Sequence, residues 1–249
     1  MSEQVMVSHD GPVLSPLQRV FDTFVAPEKT FTDVKKGASW WLPFLIAAVF
    51  GLIYAFTLVH KIGLPSLVDG VIHQSSALED RLANATPEQA AAIRSSIEIQ
   101  FKLLYIAPVF TLIFGLVSAG ILLATANFVA GGKATFKQLL GVWFYGTLPL
   151  TLFAILVTLA VSAGLGADQF NIKNPLGTNI GYYLMGGESP KWLVELLSAA
   201  DIFAIWTAIL LAIGISTVAE IKRGAAAAVV VGWWFLFIVL KVVGAAIGG

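Results

Sequence analysis

Residues 131–162 read GGKATFKQLLGVWFYGTLPLTLFAILVTLAVS. Lys133 and Lys137 open the stretch, and then no charged side chain occurs from Leu139 to Gly164. A helix needs roughly 20 apolar residues to cross about 30 Å of hydrocarbon, so this run is long enough to span a membrane. Four more such runs flank it, over 41–59, 104–130, 199–219 and 225–247. The whole chain of 249 residues is 57% hydrophobic and 12% charged, with a mean hydropathy of +0.84. Soluble domains carry about 25% charged residues. These features predict an all-α polytopic membrane protein with five transmembrane helices.

Several function classes fall away on composition. The first 39 residues hold nine charged side chains and no long apolar core, so they do not read as a cleavable signal. There is no cysteine, which removes disulfides, thiol catalysis and thiolate metal sites. A net charge of zero gives no bulk attraction to nucleic acid. His9, His60 and His73 lack paired metal-ligand spacing, and no Gly-x-Ser-x-Gly nucleophile turn is present. The GGKAT of the opening stretch imitates a phosphate loop. That motif needs a glycine where Asn127 stands and a hydroxyl residue where Ala134 stands. No cofactor, metal or catalytic residue is expected, and the chain does not read as an enzyme.

Orientation rests on lysine and arginine density in short loops. The loops 131–138 and 220–224 carry Lys133, Lys137, Lys222 and Arg223 in 13 positions. The segments 60–103 and 165–192 spread six basic residues over 72 positions. The N-terminus and the two short loops are therefore expected inside.

Helix starts are marked by capping side chains paired with an acceptor three residues on. Ser15–Gln18, Thr30–Asp33, Thr86–Gln89 and Thr135–Gln138 fit, and Ser189 precedes Pro190. A helix over 16–25 places Leu17, Val20, Phe21, Phe24 and Val25 on one face, with Arg19 and Asp22 opposite. Two uses are open for that stripe: lying in the headgroup plane, or packing on the protein's own loops. Residues 60–103 read as an outer helical hairpin. Its apolar edges are Val68, Val71, Ile72, Leu78 and Leu82 on one arm, and Ile93, Ile97, Phe101 and Leu104 on the other. The second arm continues into the next span, with Pro108 kinking it. The outer loop over 165–190 has no helical period, and Tyr182 and Tyr183 suit an interfacial belt or a functional loop.

Two charges fall within or beside the spans, Asp201 and Lys241. They lie 21 residues before and 19 residues after Lys222, at similar depth in an antiparallel hairpin. The expected use is an ion pair near the outer face, or two side chains snorkelling separately; the alternative is a proton or ion relay. Ala200, Ala204, Ala208, Ala212 and Ser216 recur every fourth residue and predict a packing seam, which Glu220 extends into the turn.

The opening stretch has an earlier partner, TFTDVKKGASWWLP at 30–43. Phe136, Leu139, Leu140, Trp143 and Phe144 share one helical face, and Phe31, Val34, Ala38 and Trp41 share another. The pair reads as an amphipathic turn on the inner leaflet, used twice, each reaching a proline in the first turns of a span. Both stretches also resemble the Yip family (Ypt-interacting protein, Yip-one domain), in its bacterial form. FDTFVAPEKTFTDVKKGASWWLP resembles that family's opening, through Phe31, Trp41 and Pro43. Gly131, Gly132, Thr135, Phe136, Tyr145 and Pro149 match its glycine pair, Thr-Phe and Tyr-x-x-x-Pro run. The resemblance implies five membrane helices and a cytoplasmic N-terminus. It further implies a non-enzymatic scaffolding, membrane-organising or trafficking-like role in the bacterial cytoplasmic membrane, or in the Golgi or endoplasmic reticulum of a eukaryote. Eukaryotic relatives bind Rab-type GTPases and carry an Asp-Leu-Tyr-Gly-Pro element; this chain lacks that element, which puts GTPase binding in doubt. The expected organisation is a cytoplasmic segment over 1–40 and a membrane domain over 41–249. Expected partners are the lipid bilayer and further copies or other membrane proteins. A small transporter or channel-like subunit using Asp201 and Lys241 is the rival reading.

Overall fold

The computed structural model describes residues 13–167, 169–185 and 187–247, and among these the regular structure is entirely helical. The start of the N-terminal segment, including His9, lies outside the described residues, as do Asp168 and Gly186 of the long loop. Five stretches are long and apolar enough to cross a membrane: Trp41–His73, Pro87–Val129, Phe136–Ser162, Ile202–Ala219 and Arg223–Gly244. Val109, Phe110, Phe114 and Val117 are exposed on one of them, and Phe235, Leu236, Phe237 and Leu240 on another. Soluble surfaces rarely tolerate contiguous apolar patches of that kind; hydrocarbon accepts them. The chain is a multi-pass membrane protein.

It divides into two compact units, each built from three chain segments. The first comprises Met1–Leu45, Ile113–Thr147 and Ala208–Val231; the second comprises Ile46–Leu112, Leu148–Thr207 and Gly232–Gly249.

The first unit begins with α1 (Pro16–Val25) and α2 (Pro27–Lys35). Ser15 caps α1 as expected, its Oγ accepting from Gln18 N at 3.2 Å. The expected Thr30–Asp33 capping box does not form. Pro27, whose fixed φ suits the first helical turn, starts α2 three residues before Thr30, which is left inside the helix. α2 ends at Lys35, and Gly37, at φ +93°, turns the chain toward α3 (Trp41–Thr57). Phe31, Val34, Ala38 and Trp41 therefore do not share a helix: the first three are buried and Trp41 is exposed.

Its presumed counterpart behaves differently. Thr135 caps α8 (Phe136–Gly146; α4 to α7 follow below) through a complete box. Gln138 N donates to Thr135 Oγ1 at 3.3 Å, and Thr135 N donates to Gln138 Oε1 at 2.8 Å. Nor does α8 lie as an amphipathic turn on a surface. Leu139, Leu140, Val142, Phe144 and Tyr145 are all buried, which covers it on several sides. Gly141 and Gly146 permit this: a Cβ there would sit 2.8 Å from Val34 Cγ1 and 2.7 Å from Leu211 Cδ2 respectively. The two similar stretches share residues, not geometry.

In the second unit, α3 passes through a π turn at Leu58–Gly63 into α4 (Leu64–His73), α5 (Ser76–Ala83) and α6 (Pro87–Leu103). Thr86 and Gln89 form the expected box. The expected apolar edges meet: Val68, Ile72, Ile97 and Phe101 are buried in one core with Leu58, Val157, Val161 and Phe170. α6 continues through a 3-10 turn, Leu104–Ile106, into α7 (Ala107–Ala124). Pro108 has no N–H for the Leu104 carbonyl, so Ala107 N–H bonds it and the turn tightens.

α7 ends in a π turn, Thr125–Val129, within the first unit. Beyond α8, Thr147 interrupts the helix before α9 (Leu148–Ser162), which takes Pro149 in its first turn. The long loop of the second unit holds a 3-10 turn at Ile180–Leu184 and then α10 (Lys191–Ser198), with Pro190, not Ser189, at its N-cap. α11 (Ile202–Ala219) and α12 (Arg223–Ile247) complete the chain.

Candidate functional site

α1 packs on the first unit by its polar face. Arg19 is 4% exposed, and Asp22 and Thr23 are buried beside it. The apolar side points away: Leu17 is 72%, Phe21 64% and Val25 61% exposed. An amphipathic helix on a soluble core does the reverse.

Arg19 is the centre of the packing. Its Nη1 lies 2.7 Å from Asp33 Oδ2 on α2 and donates to the Leu14 carbonyl at 2.8 Å. Its Nε donates to Tyr145 Oη on α8 at 3.1 Å, and that hydroxyl donates in turn to the Ser39 carbonyl at 3.1 Å. Thr23 and Thr30 hydroxyls both donate to the Arg19 carbonyl, at 2.7 and 2.9 Å. The other Asp33 oxygen accepts from Val13 N. Burial pushes the guanidinium pKa down, but the hydrogen bonds to Asp33 and Tyr145 outweigh it and the value rises. Arg19 therefore stays charged, and removing one partner of a buried pair costs about 3–5 kcal/mol. Among the polar atoms around it, Asp22 Oδ2 is buried with no hydrogen-bond partner.

A second polar assembly joins the loop before α8 to the end of α11. Asn127 Nδ2 donates to the Ala134 carbonyl at 2.8 Å, and its Oδ1 accepts from Ala134 N at 3.0 Å. The two residues that disqualify the phosphate-loop reading thus bond to each other. Gly131 adopts φ +72°. Gly132 lies so close to α11 that a Cβ would meet Ala219 Cβ at 2.8 Å and the Ala126 carbonyl at 2.9 Å. Lys133 N donates to the Ala219 carbonyl at 3.0 Å. Glu220 then turns left-handed, at φ 59°, and pairs with Lys35 Nζ at 2.7 Å. Its pKa is lowered, first by the Lys35 hydrogen bond and then by that residue's charge. Arg223 pairs with Glu28 at 2.6 Å, and Gln138 Nε2 donates to the Lys35 carbonyl at 2.8 Å. The glycine pair, Thr135 and Tyr145 of the sequence pattern all have structural work here. Phe31 is fully buried, while Phe136 is partly exposed.

The expected Asp201–Lys241 pair is not formed. Asp201 caps α11, its Oδ1 accepting from Phe203 N at 2.8 Å and Ala204 N at 3.4 Å. Its Oδ2 accepts from the Thr178 hydroxyl and from Asn179 Nδ2. Four donors from the long loop and the helix start satisfy the carboxylate, so it has no need of a cation; Lys241 stands exposed on α12. Asn174 and Asn179, both buried, extend the assembly to Ser198. The long loop is thus tied down by amides that carry no periodic signal. The alanine seam also shifts. Ala200 precedes α11 and is exposed, and Ala204, Ala208, Ala212 and Ser216 are only half-buried. The buried face runs through Phe203, Thr207, Leu210, Leu211, Ile215 and Val218.

Among the described residues no group of three or more His, Asp or Glu is placed to hold a metal ion. Sequence reasoning missed Arg19 and Asp33 as partners, because 14 residues separate them and different helices carry them. Comparison with curated proteins and with solved structures gives no match. The Yip1 domain family model matches residues 21–244, a range that takes in α2, the glycine-pair loop, Tyr145 and all five candidate spans. The chain belongs to the Yip1 domain family.

Proposed function

We propose that the protein is a non-enzymatic membrane scaffold whose working surface is built by α1, α2 and the loops at 131–135 and 220–222. The observation that carries this reading is the buried Arg19–Asp33–Tyr145 assembly. It holds a charged N-terminal segment on a membrane-embedded helix, as a surface that presents itself to a partner requires. Density of basic residues supports placing this surface on the cytoplasmic side. The transporter alternative, motivated by three proline-containing helices and the Asp201/Lys241 pair, is the weaker reading, since the Asp201 carboxylate is engaged by a helix cap and a loop. The test is affinity capture from native membranes, using the full chain and a variant lacking residues 13–36. A scaffold loses its co-purifying partners while the five spans still elute as a folded species. An unchanged partner set overturns the reading. Reconstituted proton or ion flux that disappears in Asp201→Asn would revive the transporter.

A further inference from the structure

We propose that the exposed face of α1 is a docking surface for anionic phospholipid, lying in the headgroup region of the bilayer that the five spans cross. Three observations converge. The face is apolar and uncovered at Val13, Leu17, Phe21 and Val25. It is held that way rather than left to wander, because Arg19, Asp22 and Thr23 are buried on the opposite face and Arg19 is bonded to Asp33 and Tyr145. An apolar stripe fixed outward needs an apolar cover.

Charge names the cover. Among the described residues of the unit, the exposed acids are Glu28 and Glu220, and each is paired, with Arg223 and Lys35. Lys29, Lys36, Lys133, Lys137 and Lys222 are exposed without an ion-pair partner among the described residues. That leaves an excess of positive charge among the described residues of the unit that holds the stripe, the combination that binds anionic lipid surfaces. Continuity favours the lipid too. Trp41 and Leu45 at the start of α3, and Phe128 and Val129 at the end of α7, are exposed in the same unit. A second copy of this chain would also cover an apolar stripe, but it would bring the same unpaired lysines to the contact. This inference does not depend on the scaffold reading, and stands whether or not a protein partner is captured.

The chain has no native cysteine, so Phe21→Cys, Leu17→Cys and, as a polar reference, Gln18→Cys can each carry one nitroxide label. The labelled full-length protein is placed in nanodiscs holding a single copy, with either phosphatidylcholine alone or a phosphatidylcholine–phosphatidylglycerol mixture. Power-saturation EPR then compares collisions with oxygen and with a water-soluble nickel chelate. Labels at 21 and 17 should favour oxygen, and the label at 18, on the edge of the stripe beside Val25, should favour it less. The oxygen preference should be stronger in the anionic discs, and lose that dependence when Lys29→Gln and Lys36→Gln are added. All three sites are exposed, so folding is unaffected and is checked by gel filtration. Nickel access at 17 and 21 in both lipids overturns the proposal. So does shielding from both reagents that appears only when two copies share a disc, which would assign the face to self-association.

Discussion

Tyr145 shows how much one hydroxyl organises. It accepts from Arg19 Nε and donates to the Ser39 carbonyl, so two segments of the N-terminal region meet on a single atom. Tyr145→Phe leaves a buried guanidinium N–H without a partner, and such an orphaned group costs about 1–3 kcal/mol. The expected outcome is a lower thermal midpoint in detergent, with faster proteolysis confined to residues 13–36. An unchanged proteolysis pattern would mean that the phenol does not hold the segment. Residues of this kind were only half legible. Tyr145 stood out as a position of the family pattern, but its partner Arg19 is 126 residues away. No periodicity or local spacing connects side chains at that separation. Arg19 itself read only as lying opposite the apolar stripe, and no local signal showed that its side would be the buried one.

At the scale of elements, the spans and two capping boxes were readable because they depend on neighbours within a turn. Thr86 and Thr135 are such cases. Thr30 misled, since its side chain has the right partner three residues on, yet Pro27 begins the helix first. Backbone preorganisation by proline outweighs a single side-chain cap, and the freed Asp33 goes to Arg19. Glycines divide just as sharply by context. Gly132→Ala would press a methyl against Ala219 and the Ala126 carbonyl, where overpacking costs about 1–3 kcal/mol. Gly232→Ala on α12 meets nothing within 4 Å, and alanine there gains about 0.5–1 kcal/mol of helix propensity. Thermal unfolding of the two variants side by side should move in opposite directions. Equal losses would show that the contact between the 131–135 loop and α11 is not the tight one.

For the whole molecule, the class was legible and the internal allegiances were not. Hydropathy gives five spans without any knowledge of contacts. The assignment of chain segments to two units depends on which faces pack, and apolar composition is nearly uniform around α9 and α11. Side-chain volume and glycine placement decide there, not polarity. Sidedness is the property to measure next. With no native cysteine, Lys137→Cys and Asp80→Cys offer exposed single labels on unpaired side chains. An impermeant maleimide on intact cells should reach position 80 and require permeabilisation to reach 137. Labelling of 137 from outside would invert the topology and move the proposed scaffold surface to the opposite side of the membrane.

The Arg19–Tyr145 contact also sets a timetable. A ribosome releases α1 and α2 long before α8 exists, and the helix that receives Arg19 must first be inserted into the bilayer. Chains are made at roughly 5–20 residues per second, so the interval is many seconds. Throughout it the newborn N-terminal segment has its Arg19–Asp33 pair but lacks the Tyr145 hydroxyl that anchors it. Closure of that contact must therefore wait for α8, and a protease that cuts α1 only in chains that stop short of α8 would read it as a clock.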